Sequence, residues 1–212
     1  MILYNSKSNL SSSNKTKKMS GVYKLDKTFE KADFDNNLFL KGEYENCIFN
    51  NCNFYRTDFS ETIFIDCHFT NCNLSITNLA KTVLRDAAFS YCKMLGLMFD
   101  ACNQFGLSLS FDNCILDHCS FYETKIRKTV FKNVRLYETD FTRCDLSGSV
   151  FDHCDLTDAK FENSILEKAD FSTSYNYSID PEINKIKKAK FAFPGITGLL
   201  AKYDIEIDHT IS

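Results

Sequence analysis

The chain has 212 residues, 44% of them hydrophobic, which is enough to bury one core. Only 2 prolines and 7 glycines argue against a collagen-like or disordered chain, and no run of eighteen apolar residues encodes a membrane span. The net charge of −3 by itself selects no partner.

Residues 1–28 read as a basic tail. Met1-Ile2-Leu3-Tyr4 is too short for a signal-peptide core, and Asn5 through Lys18 is polar, rich in Ser, Asn and Lys. Disorder is the expectation there. Met19 just ahead of Ser20-Gly21 offers a second reading, in which translation starts at Met19.

From Phe29 onward every fifth residue is large and apolar. The series runs Phe29, Phe34, Phe39, Tyr44, Phe49, Phe54, Phe59, Phe64, Phe69, Leu74, Leu79, Leu84, Phe89, Met94 and Phe99. It resumes at Phe111 and continues through Leu116, Phe121, Ile126, Phe131, Leu136, Phe141, Leu146, Phe151, Leu156, Phe161 and Leu166 to Phe171. Neither a period of 3.6 nor a period of 2 produces this pattern. A short fixed repeat marks a solenoid, whose turns bury their faces only against neighbouring turns. Two positions before most centres sits a small side chain, such as Cys52, Thr57, Thr82, Cys144 or Ala169. On a pleated backbone that residue shares the inward side with the centre.

The phase breaks once, over residues 103–110. Gln104 is a poor centre, and Phe111 restores the series two residues late. The insertion encloses Phe105, Gly106 and Leu107. It reads either as a bulge that re-registers two segments or as a small protruding loop that touches a partner.

After Thr173 the pattern lapses, then returns at Ile186 and Phe191. Phe193-Pro194-Gly195 ends it, and residues 196–203 read as a short helix with Ile196, Leu199, Leu200 and Tyr203 on one side. Ile205-Glu206-Ile207 alternates like a strand. Such a segment either caps the open end of a solenoid or joins two of them.

Ala32-Asp33-Phe34, Thr57-Asp58-Phe59, Cys144-Asp145-Leu146-Ser147-Gly148 and Ala169-Asp170-Phe171 resemble the motif of the pentapeptide-repeat proteins. The resemblance implies an all-β fold: a right-handed quadrilateral parallel β-helix, four pentapeptides per coil, spanning residues 29–192, with the short C-terminal helix in residues 193–212. Residue n then stacks on n+20. Phe111, Phe131, Phe151 and Phe171 form one column, Phe121, Phe141 and Phe161 the opposite one, and aliphatic columns fill the other diameter. All ten cysteines fall at the small inward position. Stacked pairs such as Cys47 and Cys67 would lie about 4.8 Å apart with parallel side chains, a poor disulfide geometry. They are expected to be reduced thiols acting as small hydrophobes, which points to the cytoplasm. No metal site is expected, since His118 and His153 point away from Cys119 and Cys154. No cofactor motif and no catalytic constellation occurs, so an enzyme is not expected.

Charge is unevenly distributed. Residues 29–173 carry 22 acidic and 14 basic side chains, a net −8, whereas residues 1–28 carry +5. The excess gathers at Asp140, Asp145, Asp152, Asp155, Asp158, Glu162, Glu167 and Asp170, taken as an acidic partner-binding face. Duplex DNA of the same length, about 34 Å, carries about 20 charges, so the rod is not a charge-for-charge copy of it. Acidic patches could still dock in a basic groove.

Lys190-Phe191 with Leu199-Leu200-Ala201-Lys202-Tyr203-Asp204-Ile205-Glu206-Ile207, and Gly42-Glu43-Tyr44-Glu45-Asn46 near the start, resemble the Qnr quinolone-resistance family. That family is a DNA-mimicking group acting on DNA gyrase and topoisomerase IV. The resemblance implies a topoisomerase partner, a tail-to-tail homodimer through residues 194–207, and no direct nucleic-acid or membrane binding. Many Qnr proteins carry two extruded loops. Residues 60–80 run in register, so the first is absent, and the second corresponds only to the break at 103–110. Two other readings stay open: an interaction scaffold using outward residues such as Tyr55, Tyr91, Tyr122 and Tyr137, and immunity to a peptide toxin.

Overall fold

The computed structural model describes residues 21–208. The expected disorder of residues 1–20 and the alternative start at Met19 lie outside the described residues. The chain winds into a four-sided parallel β-solenoid. On its first side, β2 (Thr28–Glu30), β4 (Ile48–Asn50), β6 (His68–Thr70), β8 (Ala87–Ser90), β9 (Leu109–Asp112), β10 (Val130–Lys132), β11 (Val150–Asp152), β12 (Asp170–Phe171) and β13 (Lys190–Phe191) form a nine-stranded sheet. Eight steps of about 4.8 Å make the sheet about 38 Å tall. A four-stranded sheet of β1 (Val22–Leu25), β3 (Gly42–Glu45), β5 (Ile63–Ile65) and β7 (Val83–Arg85) lies on the fourth side. The second and third sides are held by single parallel bridges, for example Arg135 to Asp155 and Asp140 to Lys160.

The columns expected from the repeat are present. Phe131 pairs with Phe111 and with Phe151, and Phe171 with Phe191. Rings in the first column stack at 4.6 to 5.5 Å from Phe29 to Phe191. The opposing column, Phe99, Phe121, Phe141 and Phe161, stacks at 4.5 to 5.2 Å. Across the section the two columns meet edge to face, as Phe131 and Phe141 do at 6.0 Å and 84°. Offset stacks along the rod and T-shaped contacts across it are the two geometries that aromatic quadrupoles favour.

The coil starts earlier than the repeat suggests. Strand β1 pairs in parallel with β3, with Lys24 opposite Tyr44, so residues 21–28 belong to the solenoid and not to a tail. Lys24 hid this strand because it stands where a large apolar centre was expected. Backbone pairing and the bare Cα of Gly42 hold the strand instead: a Cβ there would lie 1.9 Å from the Val22 carbonyl oxygen.

Most corners share one conformation. In these the residue two after the centre has φ near +55°, as at Arg56, Lys81, Glu123 and Asn163. Many corners are type II turns, closed by hydrogen bonds such as Thr57 N–H to the Phe54 carbonyl at 2.9 Å. The small inward residue does more than fit. Thr82 Oγ1 donates to the Phe59 carbonyl at 2.8 Å, Ser164 Oγ to Phe141 at 2.8 Å, and Cys72 Sγ to Phe49 at 3.2 Å, each 23 residues back. All ten cysteines are buried and free. Burial pushes the thiols of Cys67, Cys102, Cys119, Cys144 and Cys154 up to about 12, so they stay neutral.

The two-residue insertion is real. Ala87 and Phe89 pair with Leu109 and Phe111, 22 residues on. Gln104 stays outside and donates Nε2 to the carbonyls of Phe99 and Cys102 at 3.1 and 3.0 Å. Leu107 supplies the buried apolar side chain for that coil. Residues 60–80 continue without a loop, in steps of twenty.

The C-terminal helix consists of two 3₁₀ segments, Phe193–Leu199 and Ala201–Tyr203. It begins three residues before the expected start because Pro194 stands at its first turn, where a missing N–H costs nothing. It packs on the end of the core through Tyr177, whose ring contacts Phe171 and Phe191 at 5.8 and 5.7 Å. Lys202 pins it by ion pairs to Asp180 and Glu182. The expected strand at Ile205 to Ile207 does not form; those residues are irregular and exposed, with no strand opposite to pair with. No helix among the described residues is long and apolar enough to cross a membrane.

Candidate interaction surfaces

The eight carboxylates singled out in the sequence do not share one face. Asp152 and Asp170 flank the first-side column, Asp155 and Asp158 the second, Asp140 and Glu162 the third, and Asp145 and Glu167 the fourth. Consecutive pentapeptides turn a corner, so a cluster in sequence is spread around the rod.

Several of these groups are already engaged. Asp140, Asp145, Asp155 and Asp170 each accept the backbone N–H two residues on, from Thr142, Ser147, Thr157 and Ser172. These are Asx turns that shape the chain into its corner. Asp145 is buried and bonded to Arg127 at 2.6 Å. Burial pushes its carboxyl upward, but hydrogen bonds from Arg127 and Ser147 outweigh this and hold it below the ordinary carboxylate range. Hydrogen bonds from Ser172 and Lys190 likewise lower Asp170, and those from His153 and Thr173 lower Asp152. Neighbouring coils also interleave charge, with Lys132 beside Asp152, Arg135 beside Asp155 and Lys160 beside Asp140. Asp158, Glu162 and Glu167 remain without an ion pair among the described residues.

The second side holds a further carboxylate, outside the run singled out in the sequence. Glu138 stands beside Asp158 one coil away and faces His118 at 3.1 Å. Its twenty-residue offset from His118 and Asp158 was the available signal.

At the register break, Phe105 is 79% exposed and the Arg85 guanidinium lies 5.7 Å from its ring centre. Gly106 turns the loop at φ +73°. Leu107 points into the core and is no contact residue. At the C-terminal end, Leu199 packs against the core, while Ile196, Tyr203, Ile205 and Ile207 remain exposed. Leu200, Ile205 and Ile207 line a shallow hollow with Thr197, Ala201 and Asp204. Among the described residues no group of three or more His, Cys, Asp or Glu is placed to hold a metal ion.

The family model for the pentapeptide repeat region matches residues 42–109 and 108–175. The chain belongs to the pentapeptide-repeat family. Among curated proteins no sequence match is found. Among solved structures, this pentapeptide-repeat protein is similar to a trypsin-treated variant of QnrB1, described as a plasmid-mediated fluoroquinolone resistance protein. The match has 16% identity, covers 88% of this chain and 98% of that one, and has a TM-score of 0.55. Full-length QnrB1 matches at 18% identity over 87% and 100% of the two chains, with a TM-score of 0.43. HetL of Nostoc sp. strain PCC 7120, involved in heterocyst differentiation regulation, matches at 17% identity over 80% and 84%, with a TM-score of 0.38. At 16% identity the likeness to the trypsin-treated QnrB1 variant is one of fold.

Proposed function

We propose that the protein is a binding module, not a catalyst, that engages a type II topoisomerase, DNA gyrase or topoisomerase IV, and does so as a C-terminal dimer. The observation that carries this is the charge of the C-terminal half. Over residues 111–192, the first three sides hold twelve acidic and five basic side chains. A stiff acidic rod of this kind complements a basic groove that accepts duplex DNA. The likeness in fold to a fluoroquinolone resistance protein supports the same reading. Because Asp140, Asp145, Asp155 and Asp170 shape the turns, the recognition falls to Glu138, Asp158 and Glu162, with Phe105 as a contact at the break. The protruding residues of that break are fewer than an extruded loop, so inhibition of the enzyme is expected before protection from a drug.

The test is a gyrase supercoiling assay with and without ciprofloxacin. Supercoiling should be inhibited at micromolar protein, and Asp158→Lys with Glu162→Lys should weaken inhibition at least tenfold. Unimpaired supercoiling at those concentrations rejects the topoisomerase reading and favours a scaffold for another partner.

A further inference from the structure

The fourth side of the rod reverses its charge at the register break. Before the break its outward positions carry Asp26, Glu43, Glu45, Asp66 and Asp86, against only Arg85. After it they carry Lys125, Arg127, Lys128, Lys168, Lys185, Lys187 and Lys188, against only Asp145 and Glu167. All seven cations are exposed. Asp145 is buried and consumed by Arg127, and the six lysines make no ion pair among the described residues. Lys128, Lys168 and Lys188 stand in one corner column, with Gly148 leaving a gap beside Lys128. Arg127, Lys128, Ser147, Gly148, Glu167 and Lys168 line an open hollow there. Three coil steps separate Lys128 from Lys188, about 14 Å.

We infer that this strip binds the phosphate backbone of a nucleic-acid duplex, a role separate from the acidic sides and independent of the topoisomerase reading. One strand of a duplex presents a phosphate per about 3.4 Å of axis, so the strip lies along about four phosphates of the near strand and offers them six unpaired lysines. The strip holds no aromatic ring to stack on a base, so binding is to the backbone and indifferent to base sequence. The same lack disfavours a protein partner, since protein interfaces rely on desolvated apolar anchors. A second copy laid antiparallel would bring acidic half onto basic half. It would also set the two exposed Phe105 loops against each other beside Arg85 in the middle of this side.

The test is fluorescence anisotropy of a fluorescein-labelled 20-base-pair DNA duplex with the full chain, from 25 to 200 mM salt. Four phosphate contacts give a slope of log K against log salt of about −3.6. Lys128→Glu/Lys168→Glu/Lys188→Glu should lower affinity at least tenfold at 50 mM and flatten the slope by about 2.7. The corners accept Glu, as Glu61, Glu123 and Glu138 show at φ 63°, 55° and 51°, so the variant's melting temperature serves as the folding control. Lys93→Glu/Lys132→Glu/Lys160→Glu imposes the same change in net charge elsewhere and should keep the slope. Lys7, Lys15, Lys17 and Lys18 are present in every protein compared, so the differences report the strip. No binding at 25 mM salt, or equal loss in both triple variants, overturns the inference. So does a low-salt dimer, seen by sedimentation, that the strip variant alone abolishes without any DNA binding by the parent; that result assigns the strip to a second copy.

Discussion

At the scale of single residues, the small inward position and the residue before each centre carry most of the specificity. A Thr, Ser or Cys two before the centre is short enough to fit beside a phenylalanine and also reaches a carbonyl one coil back. An Asp or Asn one before the centre closes the turn by accepting a backbone N–H. Asp145 shows how such a residue differs from a surface charge. Its folded-state carboxyl lies below the ordinary range, near 3.9 for a free Asp. The stability it contributes is therefore complete above the unfolded value and is lost as pH falls through the folded one. Asp145→Asn should cost about 1–2 kcal/mol at pH 7. It should also flatten the acid limb of the stability curve below about pH 4, as measured by urea unfolding at stepped pH. Equal acid sensitivity in both proteins would remove the Arg127 pairing from the account.

At the scale of elements, the corners, the break and the cap obey different rules. Corners tolerate many residues at positive φ because each turn is held by pairing to the coils above and below, which offsets a local cost of about 1–2 kcal/mol per residue. The break works because Leu107 restores the apolar side chain that Gln104 cannot provide. The cap depends on close approach: a Cβ on Gly198 would lie 2.1 Å from the Tyr177 carbonyl oxygen, and the Gly198 carbonyl accepts the Ile179 N–H at 3.0 Å. Gly198→Ala should loosen the cap at a cost of about 1–3 kcal/mol. Hydrogen exchange should quicken at Ile179 and across residues 193–203 while the amides of Phe131 and Phe151 stay protected, because a solenoid couples mainly to nearest neighbours.

At the scale of the whole molecule, the rod is polarised around its axis, acidic on three sides of its C-terminal half and basic on the fourth. Its C-terminal end presents the exposed side chains of Ile196, Tyr203, Ile205 and Ile207 beyond the cap, the surface through which dimerisation is proposed. Ile205→Asp with Ile207→Asp should convert a particle of twice 24.4 kDa to one of 24.4 kDa by light scattering, with the solenoid's circular dichroism unchanged. An unaltered mass would place the joint elsewhere.

The coil, its columns and the two-residue break were legible in the sequence. A side chain that recurs every fifth residue leaves the backbone few ways to bury it, and a lost beat in that series has to appear as an insertion. The strand at Val22 was not legible, because Lys24 breaks the period while backbone hydrogen bonds, which leave no mark in side-chain patterning, continue it. The candidate surfaces were the least legible. Eight carboxylates adjacent in sequence were read as one acidic face, and the fold distributes them over four. Lysines sixty residues apart, Lys128 and Lys188, came to lie in one column on one side. The sequence alone determined what lies inside, since burial acts on each repeat through its own composition. Only the tertiary structure decided which charges share a surface, because that depends on turning a corner every five residues and returning to the same side every twenty.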